Sequence, residues 1–185
     1  MMTQYTTFSD FLNTAWSLIK RGTVDIRSPA RTPTLATIRA DGVPTTRTVV
    51  LRSANQSETN VELYTDLWST KVQELTNKSY GSLHFWLPKQ KIQIRMITHV
   101  EIKTGPEVED SWLKVPLHSR ESYGHTPPPG VTISQPFEYQ VSPNQDRFAV
   151  LHCSIQELDL LYLGHQHQRA IYRAMDQWEG RWVVP

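Results

Sequence analysis

Apolar residues follow two rhythms along this chain, and the switch between them marks its architecture. Phe8, Phe11, Leu12, Ala15, Trp16 and Ile19 recur at three- and four-residue spacing, which is one face of an amphipathic helix. Ser9 or Asp10 is the expected N-cap and Gly22 the expected stop. Ser28 to Pro33 is a polar loop, and beyond it the period shortens to two. Thr34 to Arg39 reads as a strand and Ala40-Asp41-Gly42 as a tight turn that tolerates positive φ. Thr45 to Arg52 reads as the returning arm of a hairpin, Ala54 to Asn60 as a polar loop and Val61 to Thr65 as a third strand. After Asp66 the chain turns into a short helix capped by Ser69 or Thr70.

Gly81 to Leu87 is a fourth strand, stopped by Pro88. Ile92 to Lys103 alternates most clearly. Ile92, Ile94, Met96, Val100 and Ile102 face one way, and Gln93, Arg95, His99, Glu101 and Lys103 face the other. Pro106 opens a helix to about Lys114, and the run Pro127-Pro128-Pro129-Gly130 excludes helix or central strand. Phe137 to Val141 reads as a short helix and Arg147 to Leu163 as one long or broken strand. Arg169 to Arg173 and Trp178 to Val184 form a last hairpin around Asp176-Gln177. Sequential strands with short links predict a mainly β, α+β domain over residues 1–185: an antiparallel Greek-key barrel with peripheral helices. Residues 1–30 supply its first helix and loop, and residues 160–185 a closing hairpin.

Composition narrows the function classes. Lys plus Arg is 19 and Asp plus Glu is 18, a net charge of +1. A nucleic-acid binder driven by counterion release would carry a basic excess. Residues 1–7 hold neither a basic n-region nor an apolar h-region, and no later stretch approaches the roughly 20 apolar residues of a membrane span. A cytoplasmic location with no membrane or nucleic-acid partner is therefore expected. Cys153 is the single cysteine, which excludes an intrachain disulfide and a thiolate zinc cluster. Its apolar strand setting reads as core, not as a nucleophile. Motifs of serine hydrolases, zincins, P-loop proteins and Rossmann proteins are absent.

The chemistry concentrates in two segments. Arg47-Thr48-Val49-Val50-Leu51-Arg52 places two arginines five residues apart, on opposite faces if the run is one strand. They are either solvated ends of a core strand or a grip for an anion, which the planar guanidinium suits. Tyr64-Thr65, then Ser69-Thr70-Lys71, puts hydroxyls and a lysine where a strand gives way to a helix. Helix N-termini favour anions, so the pair of segments points to a phosphate. Gln93 could meet the edge of a flavin, whose ring atoms alternate donor and acceptor, or simply solvent. Near the C-terminus His165, His167 and Arg169 alternate, making a row of donors on one strand face if extended. Two histidines without a third ligand do not make a metal site.

Taken in order, these residues resemble a known family. Thr34-Leu-Ala-Thr with Asp41-Gly-x-Pro44, Arg47 to Arg52, Tyr64-Thr65-Asp66, Ser69-Thr-Lys71, Gln93, and His167-x-Arg169 with Trp178, Trp182 and Pro185 are similar to the pyridoxamine 5'-phosphate oxidase-like FMN-binding split barrels. The resemblance implies a split β-barrel homodimer with FMN at the subunit interface. It implies that Arg47 and Lys71, helped by Thr65 and Ser69, contact the FMN phosphate, with Tyr64 and Thr70 beside them. Thr48 to Arg52 (Thr48, Val49, Val50 and Leu51 above all) would run beside the flavin, and Gln93 would touch the ring. Arg169 would reach FMN from the other subunit. Arg52 stands where the oxidase has a lysine near the substrate phosphate.

In the oxidase reaction a hydride equivalent passes from substrate to flavin N5, and dioxygen reoxidises the flavin. The expected substrate is a small anionic molecule, phosphorylated or not, oriented by Arg52, Ser119, His165 and His167. The chain departs from the oxidase pattern in its substrate half. His165-Gln166-His167 replaces an Arg-Leu-His triplet, Trp112 and Val115 to His118 replace a Tyr and Arg region, and the proline run replaces a Gln-Ser pair. This resembles a divergent member. Alternatives are a non-catalytic module for flavin or pyridoxal phosphate, and a haem-binding split barrel with His165 or His167 as ligand.

Overall fold

The computed structural model describes residues 5–185. Residues 1–4, part of the segment read for a leader, lie outside the described residues. Helix α1 (Phe8–Val24) buries Phe11, Ala15, Trp16 and Ile19, the stripe its spacing predicts. Its cap is Thr7 and not Ser9 or Asp10, because the Thr7 hydroxyl accepts the Asp10 amide at 3.1 Å. Gly22 does not stop the helix. Its missing side chain lets Ala30 pack there, where a Cβ would lie 2.7 Å from the Ala30 carbonyl.

Strands β1 (Thr34–Ile38) and β2 (Pro44–Thr48) form the expected hairpin, but its second arm ends at Thr48. Leu51 to Asn55 is a separate strand, β3, which pairs with β4 (Asn60–Asp66). The single strand expected from Thr45 to Arg52 is therefore two, and Arg47 and Arg52 belong to different pairs. The crossing is at Val49 and Val50, where the Val49 amide donates to Pro33. Strand β3 also takes residues 54 and 55 from the expected loop.

Helix α2 (Thr70–Asn77) leads to β5 (Tyr80–Leu87) and β6 (Ile92–Lys103), with bounds close to those predicted. A 3-10 turn and α3 (Glu109–Leu113) follow. His125–Thr126 (β7) pairs with Gln140–Val141 (β8). The short helix expected at Phe137 to Val141 is thus partly strand, and Phe137 takes a positive φ of 69° that breaks any helix. Strand β9 spans Phe148–Tyr162, and β10 (Gln168–Arg173) and β11 (Gly180–Val183) form the last hairpin.

The antiparallel strands run β11-β10-β9-β6-β5-β1-β2, with β4 bridging β3 to β9. Strand β9 divides its partners. One edge pairs along β6; on the other, Phe148 to Ser154 pairs with β4 and Glu157 to Tyr162 with β10. This handover splits the barrel. Leu35, Leu51, Leu63, Leu83, Ile94 and Leu151 are fully buried in its core. Cys153 is there too, and burial pushes its thiol up to about 12, as a core residue's would be. A second cluster, Val108, Trp112, Val115, Tyr123, Phe148 and Val150, clamps α3 and the chain after it onto β9. Among the described residues, no helix is long and apolar enough to cross a membrane.

Candidate functional site

The break between β2 and β3, the end of β4 and the start of α2 converge on a cavity of about 290 Å³. Thr48, Val49, Val50 and Arg52 wall one side; Tyr64, Thr65, Asp66, Ser69 and Lys71 wall another. The third wall comes from Ser122, Tyr123, His125 and Pro129. Sequence reasoning missed this wall. The proline run marked it only as a loop.

At the α2 end the donors cluster. Ser69 is the N-cap, yet its side chain makes no capping bond. Its hydroxyl instead sits 3.1 Å from the Thr65 hydroxyl, which also accepts Lys71 Nζ at 3.0 Å. The first-turn amides of a helix point outward, with a partial positive charge. Burial, then the nearby Arg47 charge, holds the Lys71 ammonium below its usual range. An anion arriving here would favour the charged form.

Arg47 does not line this cavity. It donates to Glu74 Oε2 at 2.8 Å and to the Thr45 hydroxyl at 2.8 Å, and it also meets the Thr37 hydroxyl. Burial pushes the Glu74 carboxyl up. Hydrogen bonds from Thr37, Thr45 and Arg47 outweigh that and hold it below the usual range. The cavity's own cations are Lys71 and Arg52. Arg52 lies over the Tyr64 ring, 5.4 Å from its centroid. Its Nε is buried without a partner, and so is His125 Nδ1. Each such atom costs about 1–3 kcal/mol. Both belong to the cavity lining, so a polar ligand entering there fits the residues present.

The third wall is fixed from beneath. Asp66 accepts Arg147 Nη2 at 2.7 Å, the Trp68 amide at 2.8 Å and the Gly124 amide at 3.0 Å. Arg147 stacks 3.7 Å from the Trp68 ring centroid and reaches the His125 carbonyl at 3.4 Å. Gly124, at φ 117°, would place a Cβ 2.0 Å from the Ser142 carbonyl, so only glycine fits.

The remaining predicted residues lie elsewhere. Leu51 is in the core, and Thr70 is exposed outside the lining, beside Gly130. Ser119 sits in the turn Leu117–Ser122, where Ser122 lines the cavity instead. Gln93 and Arg169 flank Leu161 on β6 and β10, away from the cavity. Arg169 donates to Asp159 at 3.0 and 2.8 Å, and Arg95 pairs with the same carboxylate. His165 and His167 do not share a strand face. They are exposed in the bend between β9 and β10. Among the described residues no group of three or more His, Cys, Asp or Glu could hold a metal ion.

A family model described as the pyridoxamine 5'-phosphate oxidase FMN-binding domain matches residues 13–104. The pyridoxine/pyridoxamine 5'-phosphate oxidase of Acinetobacter baumannii (strain SDF) is 31% identical over 153 residues, covering 80% of this chain and 65% of that protein. The enzyme of the same name from Chromohalobacter salexigens is 37% identical over 83 residues, 45% of this chain and 37% of that one. The chain thus spans less than two thirds of these relatives' length. Among solved structures, a pyridoxamine 5'-phosphate oxidase-related, FMN-binding protein from Nostoc punctiforme superposes with a TM-score of 0.73 at 20% identity, covering 98% of this chain and all of that one. Matched motifs, split sheet and superposition agree. The chain belongs to the pyridoxamine 5'-phosphate oxidase-like family of FMN-binding split barrels.

Proposed function

We propose that this protein is an FMN-dependent oxidoreductase acting on a small anionic substrate. One observation carries the reading: a half-buried lysine, two hydroxyls and a helix N-terminus share one cavity with Val49, Val50 and Arg52, whose Nε has no partner. Lys71, Ser69 and Thr65 would hold the FMN phosphate, with Arg47 behind Lys71 adding positive potential. The backbone of Thr48 to Val50 would lie along the ring system. When bound, FMN supplies the two-electron chemistry, accepting a hydride equivalent from the substrate. Arg52 would orient the substrate's anionic group, and its stacking on Tyr64 limits where its fork can point. The third wall shields this region from water.

Gln93 and Arg169 fit a homodimer, in which their face of one copy would close over the cofactor of the other. Arg169 is presented by Asp159, which fixes the guanidinium plane.

A second reading is a flavin-binding module without turnover. The position of Ser119 outside the cavity and the exposure of His165 and His167 favour it. Adding pyridoxamine 5'-phosphate to the aerobic FMN-loaded protein separates the two. Aldehyde and hydrogen peroxide formed together support the oxidase reading. Bound FMN with neither product supports the module.

A further inference from the structure

A second cavity, of about 230 Å³, adjoins the first. The two share His125 and Pro129. Each alone falls below the roughly 300–1,000 Å³ of small-molecule sites, and joined they come within it. The second cavity is formed by the proline run, Val131, Ile133 and Tyr139, and its only polar side chains are His125 and Tyr139. Nothing in the cofactor reading uses it.

The annex is a built feature. The β7–β8 pairing ties its two ends together. Its prolines fix φ and leave few conformations to lose on binding. The Asp66 network holds the backbone of Gly124 and His125 in place. The His125 ring stands at the junction, 5.3 Å from the Tyr139 ring. His125 and Arg52, whose Nδ1 and Nε are buried without partners, both line the cofactor-side cavity.

We propose that the annex receives the apolar aromatic ring of the substrate, with His125 at the junction and Arg52 holding the substrate's anionic group. The substrate class is then a flat aromatic acid whose ring carries few polar substituents. A ring bearing hydroxyl and amine groups would leave them unmet against proline, valine and isoleucine, which is costly. The planar Arg52 fork accepts a carboxylate or a phosphate alike. This inference rests on the cofactor reading for the other half of the site.

The test is calorimetric titration of the FMN-saturated protein with 1-naphthoate, 1-naphthyl phosphate and pyridoxamine 5'-phosphate. FMN uptake is followed separately by flavin fluorescence. At least one naphthyl anion should bind about tenfold or more tighter than pyridoxamine 5'-phosphate. The tighter of the two identifies the anionic group. Ile133→Asp, which puts a charge in a half-exposed annex wall, should weaken that ligand by about tenfold and leave FMN affinity unchanged. His125→Phe should weaken it with FMN likewise retained. Naphthyl anions bound no tighter than pyridoxamine 5'-phosphate, or unaffected by Ile133→Asp, would overturn the annex. Failure to take up FMN overturns the cofactor reading instead, and the same naphthyl titration on that protein still decides the annex.

Discussion

Arg47 donates to Glu74 across 2.8 Å, joining β2 to α2. The carboxylate is nearly fully buried, so its charge depends on this pair and on Thr37 and Thr45. Its folded value lies below its unfolded one. The stability it contributes is therefore complete above the unfolded value and is lost as pH falls through the folded one. Glu74→Gln should destabilise the protein by about 1–3 kcal/mol near neutral pH. It should also lose less stability on acidification than the wild type does. Urea midpoints at about pH 7 and about pH 3 check both. Asp159 shows the same downward direction, where burial is outweighed by Arg169 and Arg95. Some acid sensitivity should thus persist in the variant.

Lys71 carries the opposite sign. Its folded value lies below its unfolded one, so the apoprotein gains stability as pH rises from the folded value toward the unfolded one. Near neutral pH the charged ammonium weighs against folding. Lys71→Met should leave the apoprotein as stable or more stable in a thermal melt. The same change should weaken FMN binding about ten- to a hundredfold, the loss of a charge-assisted hydrogen bond. A less stable apoprotein with unchanged FMN affinity would make Lys71 structural.

The third wall depends on Asp66 and Arg147, whose side chains are only 4% and 6% exposed. Arg147→Met leaves the Asp66 charge buried without its partner, at a cost of about 3–5 kcal/mol. Hydrogen exchange should speed up at the Gly124 amide, which donates to Asp66, and at the Ser142 amide, which donates to Gly124. Gly124→Ala should destabilise the protein by a different route, through the clash with Ser142. Unchanged exchange in both variants would show that the wall is held by other contacts.

What could be read in advance was local. The alternation of Ile92 to Lys103 gave β6 its bounds, since one face is buried against the core. Thr65, Ser69 and Lys71 converge because a strand end and a helix start are adjacent in the chain. Arg47 and Arg52 misled because Thr45 to Arg52 looks continuous. Nothing in a β-branched pair such as Val49-Val50 announces that the chain leaves β1 for β4. The His125 wall was invisible for a different reason. It is built by contacts such as Gly124 to Asp66 and Arg147 to Asp66, 58 and 81 residues apart. Period and spacing carry no trace of such pairings. His165 and His167 looked like a strand pair because alternation persists into the bend after β9.

In the proposed function Lys71, Ser69 and Thr65 hold the phosphate of FMN. The most direct measurement of this is fluorescence titration of the purified apoprotein with FMN, beside riboflavin, which lacks the phosphate. Saturable quenching by FMN is expected, with binding about a hundredfold or more weaker for riboflavin and a yellow holoprotein with flavin absorbance. Equal affinity for the two flavins, or no uptake of either, would contradict it.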